Sequence, residues 1–124
     1  AYAEVLQYGA ILVKICVPDK NGDLKDVVLG YDDIRGYEVN GCFFGAIIGR
    51  SGNRIENSRF FIDDKEVVLA ENENHNNLHS GPDGFEKKLW EVKEISQEKN
   101  SVDFFRISPD GERISGRIFH CCEI

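Results

Sequence analysis

Hydrophobic and polar positions alternate along most of this chain with a period of two, which predicts strands rather than helices. In VLQYGAILVKICV, Val5, Ile11, Val13, Ile15 and Val17 share one parity, and Leu6, Ala10, Leu12 and Cys16 share the other. The segment therefore reads as a strand apolar on both faces, or as two strands joined by a kink at Gly9. PDKNGD follows, where Gly22 supplies the positive φ that a tight reversal needs, and LKDVVLGY returns as the second arm of a hairpin. RFFIDDKEVVLA predicts another hairpin around Asp63, Asp64 and Lys65. LWEVKEIS, SVDFFRIS and ISGRIFHCCEI, separated by QEKN and PDGER, predict a three-stranded meander. No stretch carries a sustained helical period, so the expected fold class is all-β.

Two segments escape the alternation. DDIRGYEVNGCFFGAIIGRSGNRIENS is interrupted by Gly36, Gly41, Gly45, Gly49 and Gly52 and is too broken for a regular strand or helix. ENENHNNLHSGPDGFEKK is polar and runs into a Gly-Pro turn. Long irregular segments are uncommon in compact domains unless they carry function, so these two mark the expected working face.

Length and charge narrow the classes. A chain of 124 residues, 41% hydrophobic and 30% charged, has the composition of one globular domain or part of one. Its net charge of -7, with no basic cluster, argues against a nucleic-acid partner. No apolar run approaches the roughly 20 residues that span a bilayer, and AYAEVLQYG lacks the basic and apolar parts of a secretory leader. A soluble protein of the cytoplasm is expected, with no membrane partner. Cys16, Cys42, Cys121 and Cys122 show no CxxC spacing and are expected to be reduced and buried. The chain has no methionine and stops in the strand-like IFHCCEI, so it reads as a piece of a longer protein. Such a piece would expose sheet edges through which it could self-associate.

The candidate chemistry lies in the two irregular segments. His75 and His79 have the spacing of zinc ligands on a helix, but Asn76, Asn77 and the Ser80-Gly81-Pro82 turn oppose a helix, and no glutamate follows His75. No metal is expected. His75 reads as a solvated loop residue, whereas Leu78 and the turn would fix the direction of the His79 ring. Asn53 beside Arg54 places a neutral amide next to a five-donor fork, a pairing suited to sugar hydroxyls. Arg50 and Arg54 lie four apart, and either is as compatible with a surface charge as with a ligand contact. GRSGNRIENS lacks the Lys-Ser/Thr ending of a phosphate loop, and neither Ser51 nor Ser80 sits in a GxSxG elbow. Trp90 shares its parity with Val92 and is expected in the core, not on a sugar-stacking platform. Asp32-Asp33 and Asp63-Asp64 read as turn or cap residues.

FFGAIIGRSGNRI resembles the FGA-x-IGR-x-x-NRI motif of the aldose 1-epimerase family, also called galactose mutarotases, and NNLHSGPDGF resembles its N-x-LHGG-x-x-GF. VPDKNGDLKDVVLGYDD and SPDGE extend the likeness, in order, from about Gly9 to Gly111. The resemblance implies the N-terminal part of a large antiparallel β-sandwich, with residues 1–124 forming part of one domain. It implies interconversion of the α and β anomers of free aldoses such as galactose and glucose, without a cofactor. Carried over by position, the family's sugar-contacting pair falls on Asn53 and Arg54, and its LHGG histidine falls on His79. Ser80 stands where the motif has its first glycine. The family's general-acid histidine and general-base glutamate have no matching positions before residue 124, so no catalytic residue is expected within this chain. His120, in IFHCCEI, reads as a strand residue, and the Gly-aromatic-Pro-Gly run usual after SPDGE is absent. The alternative is a non-catalytic carbohydrate-binding or interaction module on the same scaffold.

Overall fold

The computed structural model describes residues 1–112 and the backbone of residues 118–123. Among the described residues the strands in chain order are β1 (Tyr2–Leu6), β2 (Ile11–Pro18), β3 (Leu24–Asp26), β4 (Arg54–Ile55), β5 (Arg59–Ile62), β6 (Lys65–Val68), β7 (Asn77–Leu78), β8 (Glu91–Ser96), β9 (Ser101–Ser108) and β10 (Ile118–Glu123), with an α-helix, α1 (Ile34–Val39), before β4 and short 3-10 turns at Glu56–Ser58 and Phe85–Lys87. They pair as β1-β2-β3, β4-β7, β5-β6 and β8-β9-β10, always antiparallel.

The N-terminal apolar run is two strands joined by a full reversal, not by a kink, because Leu6 pairs directly with Ile11. Gly9 at φ 68° and Ala10 at φ 45° carry the reversal. A Cβ on Gly9 would lie 2.6 Å from the Glu86 carbonyl oxygen, so both conformation and space require glycine there. Neighbouring segments pin this turn: the Gly9 amide donates to the Lys88 carbonyl at 2.7 Å, and the Ile47 amide donates to the Gly9 carbonyl at 3.1 Å. The Trp90 amide donates to the Gln7 carbonyl at 2.9 Å, and Gln7 Nε2 returns a bond to the Trp90 carbonyl at 3.2 Å.

The other hairpins follow from their turn residues. Gly22 (φ 91°) reverses β2 into β3, while Asp19 Oδ1 accepts from the Asn21 and Asp23 amides at 2.8 and 3.1 Å. Asp63 and Asp64 both have positive φ, 47° and 62°, giving the two-residue turn whose twist suits a hairpin. The meander of β8, β9 and β10 forms in the expected order.

Helix α1 departs from the expectation of an irregular segment. Six residues are too few to show a helical period, and the helix is held by its ends. The Asp33 carboxylate caps the Arg35 amide at 2.9 Å, and Asn40 closes the C-terminus in a left-handed conformation. Tyr37, the buried residue of the helix, accepts the Tyr31 amide on its hydroxyl at 3.1 Å.

Ala10, Phe85, Trp90 and Phe104 form the core, flanked by Val5, Ile47, Val92 and Val102. Trp90 is 1% exposed, packs edge-on against Phe85 with ring centroids 5.6 Å apart, and donates its indole N–H to the Phe85 carbonyl at 3.2 Å. It is a core residue, as its parity predicted. Cys16 is buried, but Cys42 is exposed, contrary to expectation, because it lies in a glycine-flanked turn after α1 and not on a strand. His120 pairs with Arg106 in the β9-β10 register. The expectations for the side chains of His120, Cys121 and Cys122 lie outside the described residues. Among the described residues, no helix is long and apolar enough to cross a membrane.

Candidate functional site

The short β4-β7 ladder joins the two irregular segments by pairing Arg54 with Leu78 and Ile55 with Asn77. The asparagines of the polar segment build its backbone. Asn72 holds both main-chain groups of Leu78, accepting its amide at 2.7 Å and donating to its carbonyl at 3.0 Å. Asn76 Oδ1 accepts the Asn57 amide at 3.1 Å, and Asn77 Nδ2 donates to the Ala70 carbonyl at 2.8 Å. These short polar side chains take over bonds that an irregular backbone would leave unmade.

The ladder ends by placing Asn53 opposite His79. The His79 amide donates to the Asn53 carbonyl at 3.0 Å, and the Asn53 amide donates to His79 Nδ1 at 3.0 Å. An amide can only donate, so Nδ1 is an acceptor and a neutral ring carries its proton on Nε2. Phe43 packs edge-on against the same ring, with centroids 4.9 Å apart. His79 is thus held by one polar and one apolar contact. Among the described residues the Asn53 carboxamide has no hydrogen-bond partner, and it lies exposed beside the ring.

Arg54 points elsewhere. Its Nε and Nη2 bind the two oxygens of Glu73 at 3.2 and 3.1 Å. The Arg54 hydrogen bond lowers the Glu73 carboxyl below its ordinary value, and Glu73 in turn raises Arg54. The pair fixes the plane of the guanidinium and leaves more than half of the Arg54 side chain exposed. His75 is also exposed and pairs with Glu71 at 3.0 Å.

Other residues take roles that sequence reasoning did not assign. Phe43 supports His79 and was only one of eight phenylalanines. Arg50 is not a surface charge: Nε donates to Ser108 Oγ at 2.8 Å, and Nη2 donates to the Ser108 and Pro109 carbonyls at 3.1 and 2.5 Å. It ties the glycine-rich segment to the end of β9. There Glu112 joins Arg106 and Ser108, and Arg106, followed by Ser108, holds its carboxyl down at about 2 against the opposing effect of burial. Glu86 is 2% exposed, and burial pushes its carboxyl above the ordinary range. An acidic residue in GFEKK gave no sign of burial. No group of metal-binding side chains occurs among the described residues.

A concavity of about 740 Å³ lies between β1, β2 and the segment around Tyr31 and Tyr37. Asn53, Arg54 and His79 do not line it. Asn53 and Arg54 are exposed and His79 is half-buried.

The antiparallel, mostly-strand scaffold is of the galactose mutarotase type. The aldose 1-epimerase family model matches residues 1–120. The chain belongs to that family. It is 42% identical to galactose mutarotase of Bos taurus and 43% identical to that of Homo sapiens, in each case over 88% of this chain and 31% of the relative. The crystal structure of an aldose epimerase homologue from C. elegans superposes with a TM-score of 0.85 at 36% identity, covering 93% of this chain and 35% of that one. The chain spans about a third of the length of these relatives.

Proposed function

We propose that this chain supplies one wall of the sugar cleft of a cytoplasmic aldose 1-epimerase that interconverts the α and β anomers of free aldoses. In this reading, residues 1–124 are the N-terminal part of a single β-sandwich domain. Asn53, Arg54 and His79 bind the sugar hydroxyls: the Asn53 side-chain carboxamide offers a donor and an acceptor, Arg54 a planar fork, and His79 its Nε2–H. The observation that carries the reading is the Asn53-His79 ladder, which fixes the direction of the ring before any ligand arrives. The family membership supports it.

The reaction needs a base to remove the anomeric hydroxyl proton and an acid to protonate the ring oxygen. The ring then opens to an aldehyde, C1 rotates, and the ring recloses. Asn53, Arg54 and His79 hold the remaining hydroxyls so that only the reactive end moves. The acid and base come from outside these residues. Polarimetry of freshly dissolved α-galactose with the whole natural polypeptide tests the assignment. Acceleration over buffer that His79→Ala reduces at least tenfold is expected. A relaxation no faster than buffer, and insensitive to His79→Ala, removes the enzymatic reading and leaves a binding module.

A further inference from the structure

His79, Ser80 and Gly81 lie in succession in the left-handed region, with φ of 54°, 71° and 92°. Only the third is a glycine, so Ser80 holds a conformation that a side chain disfavours. Its hydroxyl is buried and fully engaged. Ser80 Oγ accepts the Ser51 amide at 2.7 Å, donates to the Ser51 carbonyl at 3.0 Å, and lies 3.1 Å from Ser51 Oγ. Because its own proton goes to the carbonyl, the Ser51 hydroxyl is the donor in the last contact. One proton and two lone pairs are thus all directed at a single residue of the facing segment.

The position of this contact gives it a consequence. Ser51 precedes Asn53 by two residues and Ser80 follows His79, so the clasp joins the same two segments next to the Asn53-His79 pair. We propose that Ser80 is a positioning residue that holds the two segments at the separation where the Asn53 amide reaches His79 Nδ1, and so keeps Nε2–H directed outward as the sugar donor. A glycine here, as in the LHGG motif, relieves the backbone but loses every one of these bonds. In this chain the hydroxyl offsets the strain by joining the segments. The inference rests on the reading that His79 contacts sugar.

The test uses the whole polypeptide with Ser80→Gly, Ser80→Ala and Ser51→Ala. The His79 tautomer is read by long-range proton-nitrogen correlation on the neutral ring, at about pH 8.5, and galactose affinity is read by calorimetry. The parent should show the Nε2–H tautomer alone. Both Ser80 variants should show a tautomer mixture and about tenfold weaker galactose binding, while Ser51→Ala, which keeps its backbone groups, should retain the single tautomer. Ser80→Gly suits the local φ and decides the matter if Ser80→Ala fails to fold. A Ser80→Gly protein with the single tautomer overturns the proposal, even if its melting temperature falls, because the clasp would then be structural only. If the parent binds no galactose but Ser80→Gly still mixes the tautomers, the positioning role stands and the sugar reading fails.

Discussion

The Asn53 amide donates to His79 Nδ1 at 3.0 Å while the His79 amide donates to the Asn53 carbonyl at 3.0 Å. The link uses only the backbone of Asn53, which leaves its carboxamide available. Asn53→Gly separates the two roles. It keeps the ladder and suits the φ of 57° at this position, so stability should be unchanged or rise by less than about 1 kcal/mol. Galactose affinity should fall about tenfold through lost side-chain hydrogen bonds. Calorimetric titration and thermal melts check both halves, and wild-type affinity would remove Asn53 from the site.

Arg54 and Glu73 form a solvated ion pair whose main effect is to orient the guanidinium. Arg54→Lys keeps the charge and loses the fork, so sugar affinity should drop about tenfold while the melting temperature stays within error. Glu73→Gln should weaken binding less than Arg54→Lys does. Equal affinity for all three proteins would show that the fork does not meet the ligand.

Glu112 predicts an acid limit to stability. Its carboxyl titrates at about 2 in the folded chain against an ordinary value of 4.5, held down by Arg106 and then by Ser108. The stabilisation is therefore complete above about pH 4.5 and is lost as pH falls toward about 2. Glu112→Gln should cost about 1–2 kcal/mol at neutral pH, less than the full shift implies because the pair is partly screened by solvent. Denaturant melts across that range should show the acid limb flattened in the variant.

Glu86 predicts the opposite slope. Burial raises its carboxyl, so its contribution is fully present below the ordinary carboxylate value and is lost as pH rises through the raised one. Glu86→Gln should melt higher than the parent at pH 7, and the advantage should shrink as the pH is lowered toward the ordinary carboxylate range. A parent that is more stable than the variant at pH 7 would mean that the charged carboxylate is well served in place.

The hairpins and the meander were legible because alternation and turn chemistry are local properties, written within a dozen residues of each other. Helix α1 was not, since six residues held by Asp33 and Asn40 need no period. At the candidate site, Asn53, Arg54 and His79 were singled out as candidates from residue type and family motif. Their geometry could not. It depends on positive φ at Asn53 and His79 and on a bond between residues 26 apart in sequence. Arg50 illustrates the same limit, because its partners lie at Ser108 and Pro109 and no local pattern distinguishes it from a solvated charge. Ser80 did leave a trace, as a polar residue where the motif has glycine.

The stitched turn between β1 and β2 also constrains how the chain acquires its fold. Gln7 and Trp90 are joined across 83 residues of sequence, so their contact closes one of the longest loops in the chain. During synthesis the β1-β2 hairpin emerges well before its docking partners at Lys88 and Trp90, and non-local closures of this kind are the slow steps of β-rich folding. Strands β1 and β2 must wait for the segment that receives them.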